Sequence, residues 1–136
     1  MEVACGSGPG LGLLSGLSKS FKSGDISSDV LKPARKHYKS RVHIEEFSAD
    51  NTPFPPNSFD VLIIFEAIYY LPNFNAFLDE CKRIVRPGGK LLISMPNPTL
   101  LDFNKSPYSY HYYGINDLND VMILHGFSST FYGFLP

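Results

Sequence analysis

"MEVACGSGPGLG", Met1–Gly12, opens the chain with a short apolar run and then places glycine at positions 6, 8, 10 and 12. A strand running into a loop stripped of Cβ atoms, with a leucine-rich helical pattern from about Leu11, is one turn of a sheet wound with helices. Gly6, Gly8 and Gly10 allow close backbone approach to a ligand, and the first turn of the helix would offer it free amides. The spacing excludes familiar loops. A dinucleotide loop needs G-x-G-x-x-G, but counting from Gly6, Gly8 or Gly10 puts Leu11, Leu13 and Ser15 at the last position. The phosphate-cradling G-x-x-x-x-G-K-[ST] and the serine-hydrolase elbow are absent as well. A tight strand-to-helix turn without any ligand is the competing reading.

Outward from this loop, β-type runs are expected near Met1–Cys5, Ser20–Asp25, Arg41–Phe47, Phe59–Phe65, Lys90–Met95 and Phe127–Tyr132. Helical spacing separates several of them. In "FNAFLDECKRIV", Phe74, Phe77, Leu78, Cys81, Ile84 and Val85 recur on one face, and "RPGGK" stops the helix at Pro87, Gly88 and Gly89. A second helix is expected over Ser28–Tyr38, capped by Ser27, Ser28 or Asp29, with Pro33 costing one amide. "FDVLIIF" is apolar without alternation, as in a central strand buried on both faces. The predicted fold is therefore α/β, a doubly wound, Rossmann-like, mostly parallel sheet with helices on both faces and a truncated first strand, in a single domain over 1–136. "SADNTPFPPNS" and "NPTLLDFNKSPYSYHYYG" are long loops, placed where such folds carry binding sites.

Composition narrows the function classes. A net charge of -1 supplies no field to gather nucleic acid or anionic lipid. No apolar run reaches the roughly 18–20 residues of a membrane span, and no secretory signal pattern is present, so the expected compartment is the cytoplasm. Cys5 and Cys81 form no cluster with metal-ligand spacing, and no metal is expected. The basic run Lys32, Arg35, Lys36, His37, Lys39 and Arg41 lies on and just after one helix without interleaved aromatics and reads as a solvated face, so nucleic acid is not the expected partner. His37, His43 and His125 stand apart from any constellation and read as surface or cap residues.

Two carboxylates give the glycine loop a meaning. Glu2 ends the first strand, and Asp25 ends the second, 17 positions beyond Gly8. A carboxylate at Asp25 can accept both ribose hydroxyls of a nucleoside lying across the strand ends, with a helix cap as the bland alternative.

"EVACGSG", "GDIS", "PFPPNSFDVLI", "EAIYYLPN", "RIVRPGGKLLIS" and "DLNDVMILHGF" together resemble the successive motifs of class I S-adenosylmethionine-dependent methyltransferases over almost the whole chain. The resemblance implies S-adenosyl-L-methionine as cofactor and a seven-stranded sheet with one reversed strand, which Phe127–Tyr132 would begin. It implies that Glu2, Cys5, Gly6 and Gly8 surround the methionine part, that Asp25 binds the ribose with Ile26 against adenine, that Ala49 contacts adenine through its backbone, and that Phe65 offers its backbone near the amino group. Ala4 replaces the family's usual first glycine, a mild change on size alone. Ser48 stands where a carboxylate usually receives the adenine amino group, with Asp50 two residues on.

The sulfonium of such a cofactor already carries an activated methyl group, so the protein mainly aligns an acceptor in line with it and excludes water. A hydroxyl or ammonium acceptor would need a base, for which His111, Tyr70 and Tyr69 are candidates. "PYSYHYY", Pro107–Tyr113, reads either as an aromatic lid or as core closure. "FEAI" lacks the Asn/Asp-Pro-Pro-aromatic motif of enzymes that methylate base or glutamine amino groups, so the expected acceptor is a small molecule. Family members carry helices ahead of the first strand. Only Met1 precedes Glu2, which makes N-terminal incompleteness the expectation and leaves a non-catalytic cofactor-binding domain or an inactive fragment as alternatives.

Overall fold

A computed structural model of the chain describes residues 1–133. Five strands, β1 (Glu2–Val3), β2 (Ser23–Asp25), β3 (Ile44–Glu46), β4 (Phe59–Phe65) and β5 (Val85–Ser94), form one sheet in the order β3-β2-β1-β4-β5, every neighbouring pair parallel. Helices α1 (Leu11–Gly16), α2 (Ser28–Tyr38) and α3 (Phe74–Ile84) make the crossovers, and α4 (Ile115–Leu124) follows β5. From β1 the chain winds outward to β2 and β3, then returns to β1's other side for β4 and β5. That reversal opens a crevice at the carboxyl ends of β1 and β4, where ligands of such sheets bind.

Helix α2 keeps the expected bounds: the Ser27 hydroxyl accepts from the Val30 amide at 3.4 Å, and Pro33 sits inside the helix. Asn73 caps α3 through the Ala76 amide at 3.1 Å, and Phe74, Phe77, Leu78, Cys81 and Ile84 are buried on its inner face. They form the larger core with Val3, Leu62, Ile64, Leu118 and Met122. On the other face Cys5, Leu11, Leu31, Ala34 and Val42 form a smaller cluster that holds α1 and α2 to β1 and β2.

Four expectations need correction. Segment Phe127–Tyr132 is not a strand, and the sheet of the described residues has five strands with none reversed. The Phe127 amide donates to Met122 O at 2.9 Å, closing the end of α4 instead of joining a ladder. β5 starts at Val85 and not Lys90, because α3 passes straight into it. The pairing jumps from Phe59 with Val85 to Val61 with Lys90, so "RPGG" is a bulge within the strand. A Cβ on Gly89 would stand 2.5 Å from Val85 Cγ1 and 2.8 Å from Asp60 O, which is why glycine is needed there. β2 and β3 are also shorter than expected, beginning at Ser23 and Ile44, with Arg41 falling in a 3-10 turn over Lys39–Arg41. Finally, β4 is not buried on both faces: Leu62 and Ile64 are fully buried, but Val61 is 36%, Phe65 59% and the neighbouring Leu92 52% exposed. The smaller core contains no β4 or β5 residue, so that face of the two strands carries apolar side chains that no described helix covers.

Candidate functional site

The loop after β1 turns sharply, with positive φ at Ala4 (51°), Gly6 (56°) and Gly8 (82°). For Ala4, handedness matters more than size, because a Cβ in the left-handed region meets the following carbonyl oxygen at a cost of about 1–2 kcal/mol. The alanine is therefore not the mild replacement that its volume suggests. Nor does this loop present its amides outward as expected. Gly6 N–H donates to Asp25 Oδ2 at 2.9 Å, Gly8 N–H to Cys5 O at 3.0 Å, and Gly12 N–H to the Tyr38 hydroxyl at 3.2 Å. Tyr38 in turn donates to Gly8 O at 2.9 Å. A Cβ on Gly8 would lie 2.8 Å from Leu11 Cδ1 and 3.0 Å from Ala34 Cβ. Glycine there seats α2 against the loop. Tyr38, at the end of α2, was missed by motif reading because its partners lie far back in the chain.

Asp25 is where the strand ends become a site. Oδ2 is held by the Gly6 amide, and Oδ1 accepts from Ser27 N–H at 3.0 Å. A carboxylate has about four lone-pair positions, so this double cradle fixes the group and leaves acceptor capacity for two further donors. The helix cap is a different residue, Ser27, so the bland reading of Asp25 does not account for its placement.

A cavity of about 270 Å³ opens beside it, lined by Asp25, Ile26, Ala49, Asp50, Tyr70 and Tyr110, with Ala4, Ser48, Leu71 and Pro72 completing the wall. The Ser48 hydroxyl donates to Asp50 Oδ1, so the serine holds the carboxylate that reaches this cavity. Asp25 with Ile26, Ala49 and Tyr70 are thus brought together from three separate segments. Tyr110 belongs to the aromatic segment read as lid or core closure, whereas Leu71 and Pro72 were not singled out, since such a pair carries no signature that separates cavity wall from core closure.

The other named residues lie elsewhere. Glu2 is buried at 5% exposure, and its Oε2 has no hydrogen-bond partner. It lies beneath Gly10, whose Cβ position is 3.7 Å from Oε2. Burial pushes the Glu2 carboxyl up to about 7, partly offset by the Met1 ammonium. Burial likewise pushes the Cys5 thiol up to about 12, which leaves it an inert apolar contact. Gly6 and Gly8 shape the loop and are not part of the cavity lining. Phe65 ends β4, and after it Glu66 turns with φ 52°, its amide on Ser94 O at 2.9 Å and its carboxylate accepting from the Ser94 hydroxyl at 2.6 Å. His111 is exposed, its ring edge-on to Tyr113 at 4.4 Å, and it does not line the cavity.

The aromatic segment serves both readings. Tyr112 is buried and stacks on Tyr69 at 4.5 Å, while Tyr110 N–H donates to Tyr69 O at 2.7 Å and its ring walls the cavity. Tyr69 is itself buried, and that burial pushes its phenol up to about 12. Tyr70 shares a hydrogen bond with Ser106 Oγ at 2.6 Å, tying this segment to the cavity rim.

Beneath the site, Glu80 anchors the "NTPFPPNS" loop. It accepts from the Thr52 amide and hydroxyl at 2.8 and 2.6 Å and from Arg83 at 2.6 and 2.7 Å, while Arg83 also donates to Phe54 O at 2.7 Å. Sequence reading passed over this pair; its signal is an acid on an apolar helix face three positions before an arginine. His125, read as a surface or cap residue, is the cap of α4, and its ring also meets Asp79 and Asn75 of α3, each at 3.0 Å. Among the described residues, no group of three or more His, Cys, Asp and Glu side chains could hold a metal ion.

Comparison with known proteins agrees with this architecture. The model of the methyltransferase-domain family matches residues 1–93. A phthiotriol/phenolphthiotriol dimycocerosates methyltransferase of Mycobacterium ulcerans is 34% identical over 73% of this chain and 38% of its own length. A fatty-acid O-methyltransferase of Mycolicibacterium smegmatis is 32% identical over 72% of this chain and 37% of its own length. The chain therefore spans less than two-fifths of those relatives. A SAM dependent methyltransferase from Archaeoglobus fulgidus superposes with a TM-score of 0.80 at 20% identity, over 93% of this chain and 59% of that one.

Proposed function

This chain belongs to the class I S-adenosylmethionine-dependent methyltransferase domains, and from that premise we propose that it binds S-adenosyl-L-methionine in the Asp25 cavity and transfers its methyl group to a small, largely apolar acceptor. One observation carries the reading: the Asp25 carboxylate is fixed by two backbone amides at the mouth of a cavity with apolar walls. This suits a ribose whose vicinal hydroxyls need one rigid acceptor. Ile26 and Ala49 supply flat apolar surface for a purine, and Asp50, held by Ser48, takes the role of acceptor for its amino group. The orphaned Glu2 oxygen is a buried acceptor without a donor, as a site for an ammonium-bearing ligand would contain. In this conformation Gly10 covers it, so the loop must shift for a direct bond.

When bound, the cofactor supplies a methyl group activated by its sulfonium. The chain's own contribution is to orient and to exclude water. Tyr70 and Tyr110 close the cavity on one side, and Leu71 and Pro72 keep it apolar. Of the candidate bases, Tyr70 lines the cavity, and the hydrogen bond its hydroxyl shares with Ser106 Oγ holds it in place. The relatives named for fatty-acid and phthiotriol-lipid methylation support an acceptor with hydrocarbon character.

Calorimetric titration of the purified chain with S-adenosylmethionine and with its demethylated product tests the binding. Asp25→Ala removes hydrogen bonds to a charged group worth about 1.5–3 kcal/mol each, so with two hydroxyls bound affinity should fall by at least about 100-fold. Undiminished affinity in that variant, or no binding of either ligand at millimolar concentration, refutes the reading. Transfer of a labelled methyl group to lipid or alcohol acceptors separates an enzyme from a binding domain.

A further inference from the structure

We propose that the turn Thr99–Tyr110 is a lipid-surface contact through which this chain meets an acceptor dissolved in a bilayer or micelle. The segment connects β5 to α4 and exposes apolar side chains in close succession: Leu101 at 108%, Tyr108 at 84%, Tyr110 at 67% and Leu100 at 42%. A built turn holds them there. Thr99 N–H and Oγ1 both donate to Asn97 Oδ1 at 3.0 and 2.9 Å, and the Leu100 and Phe103 amides bond to Asn97 O and Leu100 O at 3.3 and 3.1 Å. The turn is anchored from behind, since the Phe103 ring meets buried Tyr112 at 4.8 Å and the Ser106 amide donates to the Tyr112 hydroxyl at 3.1 Å. Water is a poor solvent for leucines fixed in the open, and an exposed apolar patch of this kind marks a contact surface.

The chemistry of the turn selects the partner. Tyrosine with leucine suits the boundary between headgroups and acyl chains, where a ring can be apolar on its face and wet at its hydroxyl. Asp102 and Lys105 cancel, so anionic lipid has no special claim. The cations Arg35, Lys36, Lys39 and Arg41 lie at the far end of α2 from Asp25 and Ile26. The contact is therefore hydrophobic, indifferent to lipid charge and to salt. Its position gives it a purpose: Tyr110 belongs both to the exposed turn and to the cavity wall, and Tyr70 at the cavity is bonded to Ser106 within the turn. An apolar acceptor could pass from lipid to the cavity along Tyr110 without crossing water. This delivery role rests on the methyltransferase reading above, whereas the surface contact does not.

Flotation of the chain with vesicles of phosphatidylcholine, alone or with a minor share of phosphatidylglycerol, at low and high salt, tests the contact. The chain should float with both vesicle types and at both salt concentrations. Leu101→Ser, and Leu100→Ser with Leu101→Ser, should each lower the vesicle partition coefficient at least tenfold, the ~1.4 kcal/mol that partly burying a leucine supplies. Leu13→Ser with Leu17→Ser, which removes exposed leucines on α1 and at its C-terminal cap, should leave it unchanged. Absence of flotation, strong dependence on phosphatidylglycerol or salt, or equal loss in the α1 variant overturns the proposal. So does a turn variant that changes oligomeric state in gel filtration while floating as before, since the turn would then be a protein interface. Cofactor titration of the same samples keeps the two readings apart: flotation without cofactor binding sinks the proposed function and leaves the contact, and binding without flotation does the reverse.

Discussion

Replacing Glu2 by glutamine should stabilise the chain, and by an amount that depends on pH. The Glu2 side chain is 5% exposed, and one of its carboxyl oxygens has neither solvent nor partner. Burial pushes its pKa from 4.5 up to about 7, against a smaller downward pull from the Met1 ammonium. Between those two values the folded chain keeps a proton that the unfolded chain has lost, so this group's stabilising contribution is complete below pH 4.5 and is lost as pH rises to about 7. At 1.36 kcal/mol per unit the loss is about 3 kcal/mol. Glutamine has nearly the same shape and cannot ionise. Urea unfolding followed by circular dichroism, for both proteins from pH 4.5 to 8, isolates the effect as the difference between them. That difference should be near zero at the acid end and favour Glu2→Gln by about 3 kcal/mol at the alkaline end. The Met1 amine, lowered to about 6 by its own burial, contributes the opposite slope and is coupled to this exchange, because the Glu2 charge raises it. A difference that stays flat across the range, or a glutamine variant weaker at every pH, would refute the reasoning.

Three further substitutions test the frame of the site. Ala4→Gly relieves a left-handed alanine worth about 1–2 kcal/mol against a chain-entropy cost of about 0.4–1 kcal/mol, so the urea midpoint should rise by the equivalent of roughly 0.5–1 kcal/mol; an unchanged or lower midpoint contradicts the strain. Gly24→Ala places a Cβ 2.3 Å from Phe47 Cε1 and 2.5 Å from Glu45 O, and should cost about 2–3 kcal/mol in the same assay, within the range for overpacking. Glu80→Gln should cost about 1.5–2 kcal/mol at neutral pH by weakening the charge-assisted bonds from half-exposed Arg83 and from Thr52. Burial alone would raise the Glu80 carboxyl, but bonds from Arg83 and Thr52 hold it below its ordinary range. Its stabilisation is therefore present above the unfolded pKa and lost as pH falls through the folded one, so the gap between variant and parent should close in acid. A gap that persists there would mean packing and not charge.

The parts of this molecule that could be read from residues alone are those whose determinants are local. The Ser27 cap and the apolar periodicity of α3 depend on neighbours within one or two turns, and both helices stand where their patterns put them. The same holds for β4, whose unbroken apolar run needs no partner to be recognised as a strand. Strand limits were read less well: "RPGG" punctuates a helix in sequence, but only pairing with β4 makes it a bulge inside β5. The failed strand at Phe127–Tyr132 has the right propensity, but its first amide is taken by Met122.

For the site, sequence order and spacing were enough to place a carboxylate at the end of β2 and to reject a dinucleotide loop, because a strand end and a glycine interval are properties of the chain itself. Tertiary structure alone decided what those residues face. It turned the loop amides inward, onto Asp25, Cys5 and Tyr38, closed Glu2 beneath Gly10, set His111 away from the cavity, and brought Tyr110 from a distant loop to its wall. Apart from the glycine loop's turn on itself, which sets Gly8 on Cys5 and Gly10 over Glu2, these depend on contacts between distant segments, whose geometry is set by the packing of α2, the β4–β5 pair and the turn after β5, and not by any pattern within one of them.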